Sequence, residues 1–142
     1  LQPNRDRMEE QVIHYCVAHG IPIIATCRGM QYINVMFGGK LWYHPKLPVN
    51  RTRGVDHQVW LVKEQRNIWG NNYHSDCIYE EGLASCFEPL AIDRENHVVE
   101  AYGSDEMKIL ALQWHPERRF ETANAYEETR KIILDFIQKY VK

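Results

Sequence analysis

Cys27, His115 and Glu117 have the types and neighbours a thiol hydrolase would need. Cys27 lies in PIIATCRGMQ, where an apolar run meets a segment of helical spacing. A nucleophile at the tip of a tight strand-to-helix turn needs small neighbours, because the backbone there is strained and side chains crowd it. Ala25 and Gly29 flank it two residues away on each side. The N-terminus of the following helix offers unpaired N–H groups and a positive dipole end. These predict a lowered thiol pKa and an oxyanion site with the Arg28 N–H as donor. Taken alone, the turn is equally well explained by a structural cysteine closing a buried strand.

A thiolate needs a base, and the base needs an orienting partner. In LQWHPE, an extended His-Pro-Glu puts His115 and Glu117 on one side of the chain, and Pro116 restricts the backbone between them. A carboxylate there can hold the imidazole in one tautomer. An isolated histidine reads as structural; with Glu117 beside it and Cys27 upstream, His115 reads as a base.

The elements that must position these groups follow from the spacing. NRDRMEEQVIHYCVAHG repeats Met8, Val12, Ile13, Cys16 and Val17 at helical intervals, with Asn4 or Asp6 as cap and Gly20 as stop, predicting a helix from about 5 to 19. IPIIAT is β-branched and apolar on both faces, which predicts a buried strand of a parallel sheet ending at Cys27. RGMQYINVMFGG predicts a second helix stopping at Gly38-Gly39. Strands are predicted near 57–63, 88–93, 97–102 and 108–114, with Asp93-Arg94-Glu95-Asn96 as a turn, and an amphipathic helix over about 122–141. This rhythm predicts an α/β three-layer sandwich around a mostly parallel sheet, with residues 1–142 as a single domain.

Composition excludes other classes. The chain has 142 residues, 44% hydrophobic, and 17 Lys and Arg against 19 Asp and Glu, a net charge of −2. Such a balance has no basic stripe to grip a nucleic acid. No run approaches the ~20 apolar residues of a membrane span, so a soluble, cytoplasmic protein is expected. Cys16, Cys27, Cys77 and Cys86 form no C-x-x-C pair. Metal and disulfide frameworks are therefore weak readings, and reduced thiols are expected.

Three ordered stretches, PIIATCRGMQYINVMFGG, NNYHS and LQWHPE, resemble the class I glutamine amidotransferase-like superfamily, most closely its γ-glutamyl hydrolase branch, which includes γ-glutamyl-γ-aminobutyrate hydrolase. NRDRMEE is similar to the R-D-x-x-E helix start of that branch, so the resemblance covers nearly the whole chain. It implies Cys27 as nucleophile, His115 as general base and acid, and Glu117 as the orienting carboxylate. It further implies that Gln31 contacts the glutamyl group and that the Tyr73-His74-Ser75 backbone holds the α-amino and α-carboxyl ends of the substrate. No metal or organic cofactor is implied. The partner would be a small γ-glutamyl substrate or glutamine, with a synthase subunit or a second copy of the chain as further possibilities.

Three departures keep alternatives open. Ser75 and Asp76 stand where hydrolases of the branch carry a second histidine and a glutamine, and YHS is instead similar to the loop of synthase-associated glutaminases. Trp42, Tyr43 and His44 stand where the hydrolases have a glutamine-aspartate pair. The family domain also begins with one or two β-α units before the first helix read here, bearing a glycine loop with the second oxyanion donor. The implied activity is hydrolysis of a γ-glutamyl amide. The rivals are an ammonia-donating glutaminase subunit, a γ-glutamyl nucleotide amidate hydrolase and an inactive binding module.

Overall fold

The computed structural model describes residues 3–43, 45 and 53–141. Helix α1 (Pro3–Ala18) is stopped at Gly20, whose φ of 67° lies in the left-handed region that glycine adopts without strain. Strand β1 (Ile23–Thr26) leads through Cys27 into α2 (Arg28–Met36). The chain then passes through β2 (His57–Leu61), β3 (Arg66–Gly70), β4 (Glu88–Asp93), β5 (Val98–Ser104) and β6 (Ile109–Leu112) to α3 (Ala125–Tyr140).

The six strands among the described residues form one sheet in the order β1-β6-β5-β4-β2-β3. Of the described pairs only β1–β6 is parallel; β5–β6, β4–β5, β2–β4 and β2–β3 are antiparallel. The sheet is therefore mixed and mostly antiparallel, which corrects the mostly parallel expectation. The reason is connection length: residues 62–65, 94–97 and 105–108 are tight turns, whereas a parallel neighbour needs a crossover of a dozen or more residues. The Asp93 turn is as expected, with Asp93 Oδ1 accepting from the N–H groups of Glu95 at 3.1 Å and Asn96 at 3.3 Å. Strand β3 was not foreseen. Its RNIWG carries little apolar alternation and owes its place to antiparallel pairing with β2, Val59 opposite Ile68.

The three layers are present. On one face α1 and α2 contribute Ile13, Met30 and Ile33 to a core with Val99, Tyr102, Ile109 and Ala111. On the other, Ile132, Ile133 and Phe136 of α3 pack against Val59, Leu61, Ile68, Leu110, Leu112 and Trp114. Strand β5 is buried on both sides. Strand β1 pairs with β6 alone and its Ile24 is exposed, so it is an edge strand among the described residues rather than the buried strand predicted. Met8 and Val12 of α1 are exposed as well, and the inward side of that helix is Ile13, Cys16 and Val17.

Candidate active site

Parallel β1 and β6 end together, with Thr26 opposite Leu112. Cys27 and Gln113 therefore emerge side by side at the carboxyl end of the sheet, where α/β folds place ligands. The Cys27 N–H donates to the Leu112 carbonyl at 2.8 Å. Cys27 itself has φ 49° and ψ −109°, an unfavourable conformation for a residue with a Cβ and the kind of strain that collects at functional turns. The small flanking pair is close: a Cβ at Gly29 would sit 3.7 Å from that of Ala25, an ordinary contact. An alanine would fit there as well, so the position takes a small residue without requiring glycine.

Burial pushes the Cys27 thiol above its ordinary pKa. The Arg28 N–H, aimed at the sulfur, and the positive charges of Arg118 and Arg53 oppose this, while Glu117 adds to it, and burial prevails. This corrects the lowered pKa expected from the helix terminus. The Gln113 amide nitrogen lies 3.8 Å from the sulfur.

His115 Nδ1 is 2.9 Å from Glu117 Oε2. A carboxylate only accepts, so the ring proton sits on Nδ1 and Nε2 is left as the basic nitrogen. Burial acts to raise the Glu117 pKa, but its own backbone N–H, the hydrogen bond from His115 and the Arg118 charge bring it below the ordinary carboxylate value. The peptide of His115 is clamped by buried Asn71, whose Oδ1 accepts from the His115 N–H at 2.9 Å and whose Nδ2 donates to the His115 carbonyl at 2.8 Å. Tyr73 stands edge-on to the His115 ring at 6.1 Å, with Arg118 over the tyrosine face at 4.8 Å. Cys27, Arg28, Tyr73, His115 and Arg118 line one open groove of about 710 Å³.

The other expected residues fall into two sets. Gln31 is buried and its Nε2 donates to Gln113 Oε1 at 3.0 Å and to the Asp76 carbonyl at 3.1 Å. The His74 ring is buried beneath the loop, its Nδ1 2.7 Å from the same Asp76 carbonyl. Ser75 is exposed at the loop surface. The Arg28 side chain turns away to Asp6 and to both carboxylate oxygens of Glu9 at 3.1 Å. The R-D-x-x-E start and the C-R-G-M-Q elbow are thus one ion-paired unit. Trp42 exchanges backbone hydrogen bonds with Cys77 at 2.9 and 3.0 Å and packs on Tyr79, Tyr43 is exposed, and His44 lies outside the described residues. Asn71, Gln113 and Arg118 were missed. Two of them sit inside the quoted NNYHS and LQWHPE, so their signal was adjacency to residues already singled out. No disulfide links the described cysteines. Among the described residues the metal-type donors that converge are His57, His74 and Glu100.

A strained cysteine elbow at the head of a parallel strand pair, in a sheet with helices on both faces, defines a class I glutamine amidotransferase fold. A glutamine amidotransferase from Thermotoga maritima superposes with a TM-score of 0.63 at 16% identity, covering 94% of this chain and 55% of that one. Residues 1–117 match Peptidase C26, and the chain belongs to this class I glutamine amidotransferase-like family. The γ-glutamyl-CDP-amidate hydrolase of Campylobacter jejuni is 30% identical over 118 residues, covering 83% of this chain and 54% of that protein. The aminodeoxychorismate/anthranilate synthase component 2 of Bacillus subtilis is 27% identical over 135 residues, covering 94% of this chain and 66% of its own length. The chain spans roughly half to two thirds of the curated relatives it matches. No helix among the described residues is long and apolar enough to cross a membrane.

Proposed function

We propose that the protein hydrolyses a γ-glutamyl amide through a Cys27–His115–Glu117 triad. The observation that carries this reading is the convergence on one groove of an elbow cysteine and a histidine whose Nδ1 is held by a carboxylate. Because burial raises the thiol pKa, Cys27 rests as a neutral thiol. Cys27 attacks the γ-carbonyl as its proton passes to His115 Nε2, and the Arg28 N–H supports the oxyanion. The C–N bond breaks as His115 returns the proton to the leaving amine, which departs and leaves a γ-glutamyl thioester. Water, deprotonated by His115, then attacks the thioester; glutamate leaves and the thiol regains its proton. Gln31 and the Tyr73-His74-Ser75 backbone hold the glutamyl group. The nucleophile, the base and one oxyanion donor come from residues 1–142, which we read as a single glutamine amidotransferase-like domain. A thiol nucleophile suits the reducing cytoplasm.

A second reading, a glutaminase subunit serving a synthase, is favoured by YHS and by the Bacillus subtilis relative. Both readings share the acyl-enzyme. A diazo-ketone analogue of glutamine should label Cys27 and no longer label Cys27→Ala; label on Cys16, Cys77 or Cys86 instead would reject the triad. Separating the readings takes turnover of a γ-glutamyl amide with and without a co-purifying synthase. Strong stimulation by that synthase would favour the subunit.

A further inference from the structure

Away from the groove, three side chains from distant parts of the sequence meet in the interior. His57 opens β2, His74 follows β3, and Glu100 lies in the middle of β5. Their side chains are 12%, 4% and 0% exposed. His57 Nε2 is 3.3 Å and His74 Nε2 is 4.0 Å from Glu100 Oε1, and all three donor atoms lie within 4.8 Å of one another. Glu100 reaches this position through an irregularity in the β4–β5 ladder, where the register jumps between Ala91–Ala101 and Ile92–Val99.

We propose that His57, His74 and Glu100 form a binding site for one divalent transition-metal ion, zinc-like in preference. Two imidazoles and one carboxylate are a zinc donor set that leaves a fourth position open, and they suit zinc better than the oxygen-seeking magnesium or calcium. Two ligands bound at ~2.0–2.2 Å in a tetrahedron stand roughly 3.3–3.6 Å apart. The His57–Glu100 edge already has this length, and the longer edges close with small side-chain movements. The tautomer of His74 is also prepared. Its Nδ1 lies 2.7 Å from the Asp76 carbonyl, which can only accept, so the N–H is at Nδ1 and Nε2 is turned to Glu100. A backbone carbonyl holding the second nitrogen is the usual outer support of a metal-bound histidine.

The site has a route to the chemistry. The Asp76 carbonyl that orients His74 also accepts from Gln31 Nε2, which donates to Gln113 Oε1, and the Gln113 amide nitrogen reaches toward Cys27. An ion on His74 therefore fixes the loop against which Gln31 is set. This positioning role rests on the γ-glutamyl reading; the site itself does not.

The test is direct metal binding, independent of turnover. The chain, freed of metal by chelator and dialysed, is titrated with Co²⁺ and then with Zn²⁺. The expected result is one equivalent of Co²⁺ per chain with the visible absorption of a tetrahedral centre, displaced by Zn²⁺. Glu100→Gln and His57→Gln should each weaken binding by more than the about 10–100-fold that loss of an outer partner costs, while Cys27→Ser and His97→Gln should leave it unchanged. His57 is the least buried of the three, so His57→Gln serves as the test if Glu100→Gln fails to fold. Substoichiometric binding by the wild type would overturn the site in favour of a cluster held by protons alone. Binding that survives His57→Gln, or that disappears with Cys27→Ser, would overturn it equally. Diazo-ketone labelling of Cys27 reports separately on the γ-glutamyl reading, so either can fail without the other.

Discussion

The two ends of the sheet are built differently and hold different kinds of chemistry. At the parallel end, β1 and β6 terminate on the same edge and deliver Cys27 and His115 into an open groove. On the antiparallel side, His57 at the head of β2, His74 after β3 and Glu100 in the irregular middle of β5, whose carbonyl accepts from the Gln113 N–H at 2.7 Å, are buried out of solvent. Parallel neighbours align their carboxyl ends, so residues far apart in sequence meet at an accessible rim. The loop after β3 joins the two: Tyr73 faces the groove while His74, the next residue, faces the buried cluster. Reaction at one end can thus be separated from positioning at the other by substitution.

The largest effect expected is at the parallel end. Cys27→Ala should abolish diazo-ketone labelling, read by intact mass, while leaving the fold and metal binding in place. If metal binding disappeared with it, the two ends would not be independent.

Glu117→Gln should slow labelling by about 10–100-fold. Loss of a triad carboxylate charge costs up to about 10⁴ where that carboxylate is buried, and the Glu117 side chain is 62% exposed. An unchanged rate across neutral pH would mean that another group orients His115.

Asn71 sits where the two ends meet, fully buried and holding both backbone groups of His115. Asn71→Ala leaves those groups unpartnered by the amide and should cost about 1–3 kcal/mol in a denaturant titration. Labelling should slow with it, because the imidazole loses its anchor.

Arg118→Gln should move the pH profile of Cys27 alkylation by iodoacetamide to higher pH. The thiol already titrates above its ordinary value because of burial, and removing a nearby positive charge raises it further. A shift to lower pH would show that Arg118 does not act on the thiol through its charge.

The smallest effect concerns the exposed edge. Ile24 on β1, with Met8 and Val12 on α1, leaves an apolar margin beside a strand that is paired on one side only among the described residues. Ile24→Lys should reduce light scattering at high protein concentration, read against the wild-type chain.

The local elements were legible because each had its own signal. Gly20 stops α1, the β-branched IIAT makes β1, and Ile132, Ile133 and Phe136 mark the buried side of α3. The elbow could be read because Cys27 sits between two such signals. Strand β3 was not readable, since RNIWG becomes a strand only through its partner β2. The direction of the sheet was misread from the first half of the chain, where a strand-turn-helix unit is followed by hairpins. The thiol pKa was misread because a helix terminus can be inferred from sequence, whereas the burial that outweighs it cannot.

Residue order by itself therefore determined the elbow, the His-Pro-Glu pair, the helices and the family, because each rests on neighbours within a few positions. Tertiary structure decided which strands run together, that Asp6 and Glu9 grip Arg28, that Gln31 and Gln113 meet beside Cys27, and that His57, His74 and Glu100 converge. Those outcomes depend on strand register and on a ladder irregularity at Glu100, which are set by packing across the whole sheet and leave no trace in local spacing.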